Sequence, residues 1–363
     1  MTARRVALLL IAGLIVLGIA VWLSSSNRQS QRPTLAGASV VGGLDKNTLN
    51  TVSEIRLSKG DGSRTTLKKG ASDWIVAERG YPADSGKVRK LLLDLSALNV
   101  VEEKTRTPEN YPALGVEDTT SATATGTRVD AVTPAKTFSL IVGKASGAKS
   151  GYVRVVNSPQ SVLAAPQITL DADPARWLDH TLIDIQQERI KEVVVKPAEG
   201  PGYTASRPSK DKPDFIVAEV PKGRELSSPT AADPIAGSLG SMSLDDVRKP
   251  PDTPPAGVSH AIFRTFDGLE VDVAGRKDGT KTYLAFVPTS TSKETQTEAQ
   301  TLEARVKGWE YEIPSYKYDG IFRPLEELLK KPPEPAAKTG KNGAKTKEAK
   351  PGKKAAAPTA ETP

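Results

Sequence analysis

The stretch DWIVAE occupies residues 73–78, and a nearly identical stretch, DFIVAE, occupies residues 214–219. The two stretches differ only where Phe215 stands in place of Trp74. Aromatic and branched apolar side chains in a short run are typical of a β-strand packed against a core. The repetition raises the hypothesis that one fold occurs twice in this chain.

After each of the two repeated stretches, further matching residues occur in the same order along the chain. The segments between them also match in their predicted element types, and unequal loops account for small differences in spacing, because loops tolerate insertions. Two tandem copies therefore explain the sequence better than a chance match. The landmark pairs, which keep a nearly constant separation along the chain, are Gly143 with Gly275, Tyr152 with Tyr283, and Trp177 with Trp309.

Each predicted copy contains three strands, a helix and several further strands. In the first copy the helix follows Asp84, a favourable N-cap. The corresponding segment of the second copy, residues 230–247, includes two glycines and a proline, which weaken a helix. In both copies a polar, Gly-containing segment (143–151 and 275–281) predicts a hairpin turn. The apolar stripe of the first helix consists of Val88, Leu91, Leu92, Leu95 and Leu98.

The sequence thus predicts an α+β fold, in which an N-terminal transmembrane helix precedes two tandem related domains, each a mainly antiparallel sheet with a helix. The Lys/Ala/Pro-rich tail has no large apolar residue and is predicted to be disordered. The predicted parts are an anchor at 1–23, a linker at 24–50, a first repeat at 51–186, a second repeat at 187–330 and the tail at 331–363.

Residues 6–23 form an apolar segment without any charge, near the lower length limit for a membrane-spanning helix. The alternative is a cleaved signal peptide, but its apolar region is usually about 7–15 residues long. We favour a retained anchor. Arginines flank the segment on both sides, so the positive-inside bias is weak. We expect the N-terminus in the cytoplasm and the body in the periplasm of a bacterium, anchored to the inner membrane.

The formal net charge of +7 comes from the two ends of the chain, and the body of the protein, residues 33–330, does not contribute to it. Residues 1–32 carry four Arg and no acid, and residues 331–363 carry eight Lys and three Glu, so the remainder is close to neutral. A near-neutral body argues against a nucleic-acid partner. The chain has no cysteine, which excludes a disulfide scaffold, a thiol nucleophile and a Cys-ligated metal.

The sequence contains no catalytic signature, and we predict neither an enzyme nor a bound cofactor or metal. Only two histidines occur, without a metal-ligand spacing. The segment GSLGS (237–241) lacks the spacing of a nucleophile elbow. A hydrolase with paired carboxylates is a less favoured alternative, because adjacent acidic residues are usually solvated. The pairs in question are Glu102 with Glu103, Glu117 with Asp118, and Asp245 with Asp246.

Aromatic residues are the candidates for an interaction site. Trp74 and Phe215 could form a ligand-stacking platform, although aromatic residues beside Ile and Val more often belong to a core. The C-terminal extension, residues 291–330, either closes the core or provides a docking surface. In it, Leu302, Val306 and Trp309 stand at helical spacing. The candidate interaction residues are Trp74, Phe215, Trp309, Tyr316 and Tyr318.

With these segments together, the chain resembles the DUF4340 family of bacterial proteins over most of residues 45–330. The resemblance rests on the N-terminal apolar segment, the strand and helix around YPAD, and the segments YPALGV, LIVGK…GYVRV and W…IPSYKYD. It implies no catalytic residues, because no activity is established for the family. Members are often encoded beside an ABC-type transport system, which implies an accessory role at the cell envelope.

Together these observations predict a non-catalytic accessory or scaffold protein of a cell-envelope complex. The expected partners are the inner membrane, through residues 6–23, and possible subunits of an ABC-type transporter. The alternative is a module that binds an envelope glycan or a small ligand in a groove between the two repeats.

Overall fold

The fold is known from a computed structural model that describes residues 35–253 and 256–331. Two large antiparallel sheets and a few helices form a mixed α+β structure, as predicted. The predicted anchor at 6–23 and the predicted tail beyond Lys331 lie outside the described residues. Within the described ranges, no helix combines the length and the apolar character needed to cross a bilayer.

The first sheet contains nine strands, each antiparallel to its neighbours. Its order is β4-β3-β2-β1-β6-β7-β8-β9-β5. The strands are β1 (Glu54–Lys59), β2 (Arg64–Lys69), β3 (Trp74–Val76), β4 (Tyr81–Pro82), β5 (Asn99–Glu103), β6 (Thr127–Val132), β7 (Thr137–Ser146), β8 (Ser150–Val155) and β9 (Ser161–Ala165).

Ten further strands follow. β10 (Thr181–Ile183) pairs only with β14 (Met242–Ser243), while the other eight form the second sheet in the order β13-β12-β11-β16-β17-β18-β19-β15. These eight are β11 (Ile190–Lys196), β12 (Tyr203–Ser206), β13 (Ile216–Val217), β15 (Asp246–Arg248), β16 (Ser259–Thr265), β17 (Leu269–Asp278), β18 (Lys281–Ser290) and β19 (Glu310–Ile313).

The two sheets arrange their strands in the same order along the chain. Starting from β3 in the first sheet and β13 in the second, each strand occupies the position of its counterpart, and all neighbours are antiparallel. The first sheet differs by one additional edge strand, β4. The repeated stretches DWIVAE and DFIVAE contribute β3 and β13, the corresponding strands near one edge of each sheet.

The described helices are short except for two. We call the chain up to residue 186 the first half and the chain from residue 187 the second half. Where the first half has helix α2 (Ser85–Ser96), the second half has only the four-residue helix α4 (Asp233–Ala236) and a 3-10 turn, in keeping with its proline and glycines. The helices are α1 (Lys46–Leu49), α2 (Ser85–Ser96), α3 (Tyr111–Leu114), α4 (Asp233–Ala236), α5 (Gln296–Val306), α6 (Ser315–Ile321) and α7 (Leu325–Leu328).

Helix α2 forms where the sequence predicts it. The Asp84 carboxylate accepts a hydrogen bond from the Lys87 amide at 3.0 Å, which satisfies one of the free N–H groups of the first turn. The predicted apolar stripe is buried. The helix therefore covers the core of the first sheet with this stripe and exposes the opposite side.

Replacing Asp84 by alanine is expected to lower the free energy of unfolding by about 1 kcal/mol, because the first turn loses its cap. Asp94→Ala in the same helix is the matched control. Its carboxylate contacts Lys90 in an exposed i,i+4 pair. Such pairs contribute only about 0.3–0.5 kcal/mol. Urea unfolding of both variants in detergent measures the difference, and equal losses would contradict the capping role.

Two predictions about Trp309 and Trp177 are wrong. Helix α5 ends at Val306, and Gly308 adopts a φ of 77°. The chain therefore leaves the helical path before Trp309. Trp309 directly precedes β19, whereas Trp177 follows β9, the counterpart of β19. The two tryptophans do not correspond, since the insertion of α5 before β19 shifts the spacing in the second half.

A continuous cluster of buried apolar side chains runs through both halves, from Val41 to Leu329. The C-terminal extension contributes to it, because Phe322, Leu325 and Leu329 are each at most 4% exposed. This segment therefore closes the core of the second sheet.

Candidate functional site

The junction between the two halves is filled by aromatic side chains and an ion pair. Tyr81 of β4 packs edge-on against Trp309 and Tyr311, at ring-centroid distances of 5.3 and 6.0 Å. Beside them, Arg79 donates to both carboxylate oxygens of Asp246 at 2.7 Å. Planar, two-point Arg–carboxylate contacts of this kind hold a fixed geometry.

The segment that connects the halves is also bound to the second half. The Ile185 amide donates to the Leu239 carbonyl at 3.1 Å, and the Leu244 amide donates to the His180 carbonyl at 3.3 Å. Strands β10 and β14 add their pairing at the same place. Side chains and backbone contacts thus fill this part of the junction, and the three cavities described below are each lined by residues of one half.

Charges around the junction are paired within the protein. Burial alone would raise the pKa of Asp246, but the Arg79 guanidinium and the Val247 amide outweigh it and lower that pKa. Glu310, which is only 7% exposed, behaves in the same way between Arg276 and Arg248, and its pKa is also lowered. These carboxylates are ionised at neutral pH and engaged in structural contacts.

The five candidate interaction residues do not come together in one patch. Phe215 is 1% exposed beneath the Arg207 guanidinium, and Tyr318 is 6% exposed, so both belong to the core. Trp309 is half-buried in the junction, with the Lys249 ammonium 3.2 Å from its ring centroid. Of the remaining two, Tyr316 is 69% exposed, and Trp74 is half-buried beside a cavity.

The cavity beside Trp74, with a volume of about 510 Å³, is a candidate site in the first half that contains a sequence-predicted residue. It lies between α1, the turn from β2 to β3, and helix α2. Leu49 and Leu92 give it an apolar floor. Its charged and polar lining consists of Lys46, Asn50, Lys69, Ser72, Asp73, Ser85 and Arg89.

Positive charge predominates in this cavity. Lys69 donates to the Asn50 carbonyl at 2.9 Å, and Asp73 accepts from the Ser72 hydroxyl at 3.0 Å. Among the described residues, no carboxylate forms an ion pair with the three cations of the lining. Such a cavity favours a ligand or a side chain that carries a negative charge beside an apolar surface.

A second cavity, of about 450 Å³, lies along the opposite side of α2, with the buried Trp177 at its floor. Helical periodicity explains the arrangement, because positions 89, 92 and 93 face one flank of α2 and positions 87, 90 and 94 face the other. Each cation of this cavity has a carboxylate partner, since Lys87 pairs with Asp84, Lys90 with Asp94 and Arg176 with Asp171. The two cavities together hold six cations and three carboxylates.

Between the two cavities, helix α2 exposes a ridge that we define by Arg89, Lys90 and Leu93. Leu93 is 48% exposed. This ridge lies outside the buried apolar stripe from which the helix is predicted. A sequence signal for the ridge was present in the segment KVRKLLL (87–93), where three cations and one surplus leucine occupy the polar side of an amphipathic helix.

The carboxylate pairs considered for hydrolysis are separated by their contacts. Glu102 binds Lys104, and Glu103 accepts from the Leu35 amide. Glu117 accepts from the Thr125 amide, while Asp118 binds Arg154. Within the ranges 35–253 and 256–331, no three His, Asp or Glu residues form a group able to hold a metal ion.

The fold and the site define a two-sheet α+β protein with a filled junction and a cationic helix ridge flanked by two cavities. The family model described as "Domain of unknown function (DUF4340)" matches residues 74–260, about half of the chain, and the chain belongs to this family. The matched region crosses the predicted boundary at residue 186, so it includes parts of both halves and the Arg79–Asp246 pair, whereas Trp309 and Tyr311 lie beyond it. Comparisons with curated proteins and with solved structures found no match.

Proposed function

We propose that this protein is a membrane-anchored accessory protein of the bacterial cell envelope, which acts by binding another protein. The apolar segment at residues 6–23 supports the anchor, and the weak charge bias around it favours a body in the periplasm. The partner class follows from the family resemblance: a subunit of a membrane transport complex of the ABC type.

We also propose that the two halves are related copies of one α+β domain. Their shared strand order supports this, as does the use of DWIVAE and DFIVAE for corresponding strands. Because the junction joins the copies through Arg79, Tyr81 and the pairing of β10 with β14, they would behave as one rigid platform.

The α2 ridge is the observation that carries the proposed binding function. An exposed leucine beside the cationic cavity of Trp74 fits an acidic segment that also carries an apolar side chain. In a protein–protein interface, apolar side chains are buried at the centre and charged groups lie at the polar rim. Electrostatic complementarity would raise the association rate and select acidic partners.

A photoreactive amino acid at position 93, introduced in the native host, tests this function. We expect adducts with a membrane protein that copurifies, and a loss of most of these adducts when Arg89→Glu is added. The same amino acid at Val287, which is 57% exposed on the second sheet, is the matched position, and Lys149→Glu in an exposed hairpin turn is the matched charge reversal.

Two results would contradict the proposal. Adducts of equal yield at positions 93 and 287 would show that the ridge has no specificity. Insensitivity of the adducts to Arg89→Glu would show that its charge has no part in binding.

A second candidate function is binding of an envelope glycan. The filled junction argues against a groove between the halves, but the cavity beside Trp74 combines an aromatic ring with the ammonium groups of Lys46 and Lys69. Aromatic rings contact the apolar faces of sugars, and cations bind their acidic groups. Carbohydrate adducts at position 93, in place of protein adducts, would favour this candidate.

A further inference from the structure

The second half contains a cavity whose charge is opposite to that of the α2 ridge. With a volume of about 770 Å³, it lies between the turn after β11, the end of β17 and the helices α6 and α7. The rings of Tyr318 and Phe322 lie at its floor, with their centroids 4.7 Å apart and their planes tilted by 54°. The lining includes Pro197, Ala198, Glu199, Ala256, Gly257, Ser259, Lys277, Tyr318, Asp319, Phe322, Pro324 and Glu327.

Three carboxylates and one ammonium group line this cavity. Lys277 is paired with Asp319 at 3.0 Å, which leaves Glu199 and Glu327 as the surplus negative charges. Both are exposed, and neither forms an ion pair with another described residue. The carboxylates do not converge into a group suited to a metal ion among the described residues. The cavity is therefore a groove of mixed polar and apolar lining with a negatively charged rim.

The described chain ends at Lys331, four residues after Glu327 of the cavity lining. Helix α7 contributes Pro324 and Glu327 to this region, and the chain is held by the Lys330 amide, which donates to the Glu225 carbonyl at 2.8 Å. Beyond Lys331, residues 332–363 include seven Lys, three Glu and six Pro. Because an extended residue spans about 3.3–3.6 Å, Lys338 can reach up to roughly 25 Å from Lys331.

We propose that the Lys-rich segment 338–354 of this chain docks in the cavity of its own second half, with lysines at Glu199 and Glu327. Charge complementarity and covalent proximity support this occupant. A segment joined by a short connection has an effective concentration in the millimolar range, so even a weak contact is populated. The stem of a lysine packs along apolar surface, and its ammonium group is attracted to the face of an aromatic ring. The proposal is independent of the α2 ridge.

Zero-length carbodiimide crosslinking of the full chain in detergent tests this docking, because it joins a carboxylate to a lysine only in direct contact. We expect crosslinks from Glu199, Asp319 and Glu327 to lysines of 338–354 at low salt. They should fall several-fold near 1 M salt, where the screening length is about 3 Å. Mixing chains labelled with ¹⁴N and ¹⁵N separates contacts within one chain from contacts between chains.

Glu327→Lys is the informative variant, and Glu326→Lys is its matched control. Both side chains are exposed on α7, but Glu326 lies outside the cavity and contacts Arg224. We expect Glu327→Lys to reduce the crosslinks of Glu199 and Asp319 several-fold and Glu326→Lys to leave them unchanged.

Three outcomes would overturn the proposal: no crosslinks to the segment, crosslinks only between differently labelled chains, or equal yields in the two variants. The salt dependence of the unmodified chain keeps the test decisive if a variant fails to fold.

Discussion

Replacing Tyr81 by alanine is expected to lower the free energy of unfolding by about 3–5 kcal/mol, the range for removing a large buried aromatic side chain. Tyr81 is only 2% exposed and packs edge-on against both Trp309 and Tyr311. Its removal leaves a cavity between the two halves, and the neighbouring rings belong to the other half. The expected loss of stability therefore arises at the contact between the two halves.

Tyr81→Phe is the matched control for this prediction. The aromatic pairs at 5.3 and 6.0 Å depend on the ring, so the phenylalanine variant should retain most of the stability. Burial raises the pKa of Tyr81, so the hydroxyl is neutral at physiological pH in the original protein. Urea unfolding followed by hydrogen exchange measures both the total loss and its location.

Hydrogen exchange distinguishes a loosened junction from a general loss of structure. In Tyr81→Ala we expect the amides of β10 and β14 to lose protection before those of β7 and β17, which lie inside the sheets. A uniform decrease across both sheets would contradict the view that Tyr81 locks the halves together. A loss below about 1 kcal/mol, the size of an average substitution effect, would contradict it as well.

Replacing Gly275 by alanine is the second large effect, with an expected loss of about 1–3 kcal/mol from overpacking. A Cβ atom at this position in β17 would overlap the ring of Phe322 and lie 2.9 Å from a ring carbon of Tyr318. The rings would have to move away from the strand. Gly275 is thus a landmark of the sequence because the closing segment approaches the sheet so closely there.

The control for Gly275 is Gly151→Ala. Gly151 is another buried strand glycine, but the nearest atom to its Cβ would be the Lys144 carbonyl oxygen at 3.5 Å, an ordinary contact. This variant should lose much less stability.

A double-mutant cycle isolates the clash. If the ring of Phe322 causes the loss, Gly275→Ala should cost less in a Phe322→Leu background than in the original protein. Thermal and urea unfolding of the four proteins give the coupling, and strict additivity would contradict the explanation.

Gly143 shows that the same glycine requirement has two different structural origins. It lies in β7, the counterpart of β17, and a Cβ there would overlap the Leu114 carbonyl and lie 2.8 Å from the Gly115 carbonyl. The covering segment in the first half precedes β6, whereas in the second half it follows β19. The two landmark glycines could be aligned from the sequence, but the segments that require them could not.

Local signals explain the parts of the fold that the sequence predicted correctly. Helix α2 has its cap at Asp84 and its apolar stripe within one segment, and the hairpins of β7 with β8 and of β17 with β18 are specified by short polar turns. Each of these elements depends on residues close together in the chain, so a single sequence contains the necessary information.

The errors have a different origin. The separation of Trp177 and Trp309 along the chain matches that of the other landmark pairs only because an inserted helix compensates for other length differences. Tyr318 is buried because distant segments cover it, which an aromatic side chain cannot indicate by itself, whereas the burial of Phe215 agrees with the core position favoured for it. The junction partners Arg79 and Asp246 are 167 residues apart, and no local pattern identifies such a contact.

By itself, the sequence determined the α+β class, the pairing of hairpins, the capped helix and the family. These features follow from short-range periodicity and from motifs that can be recognised in a single sequence. The tertiary structure alone decided that the junction is filled, that α2 presents a cationic ridge between two cavities, and that the second half has an acidic cavity. The physical reason is that burial and net local charge depend on which distant side chains meet, and this is fixed only when the sheets pack.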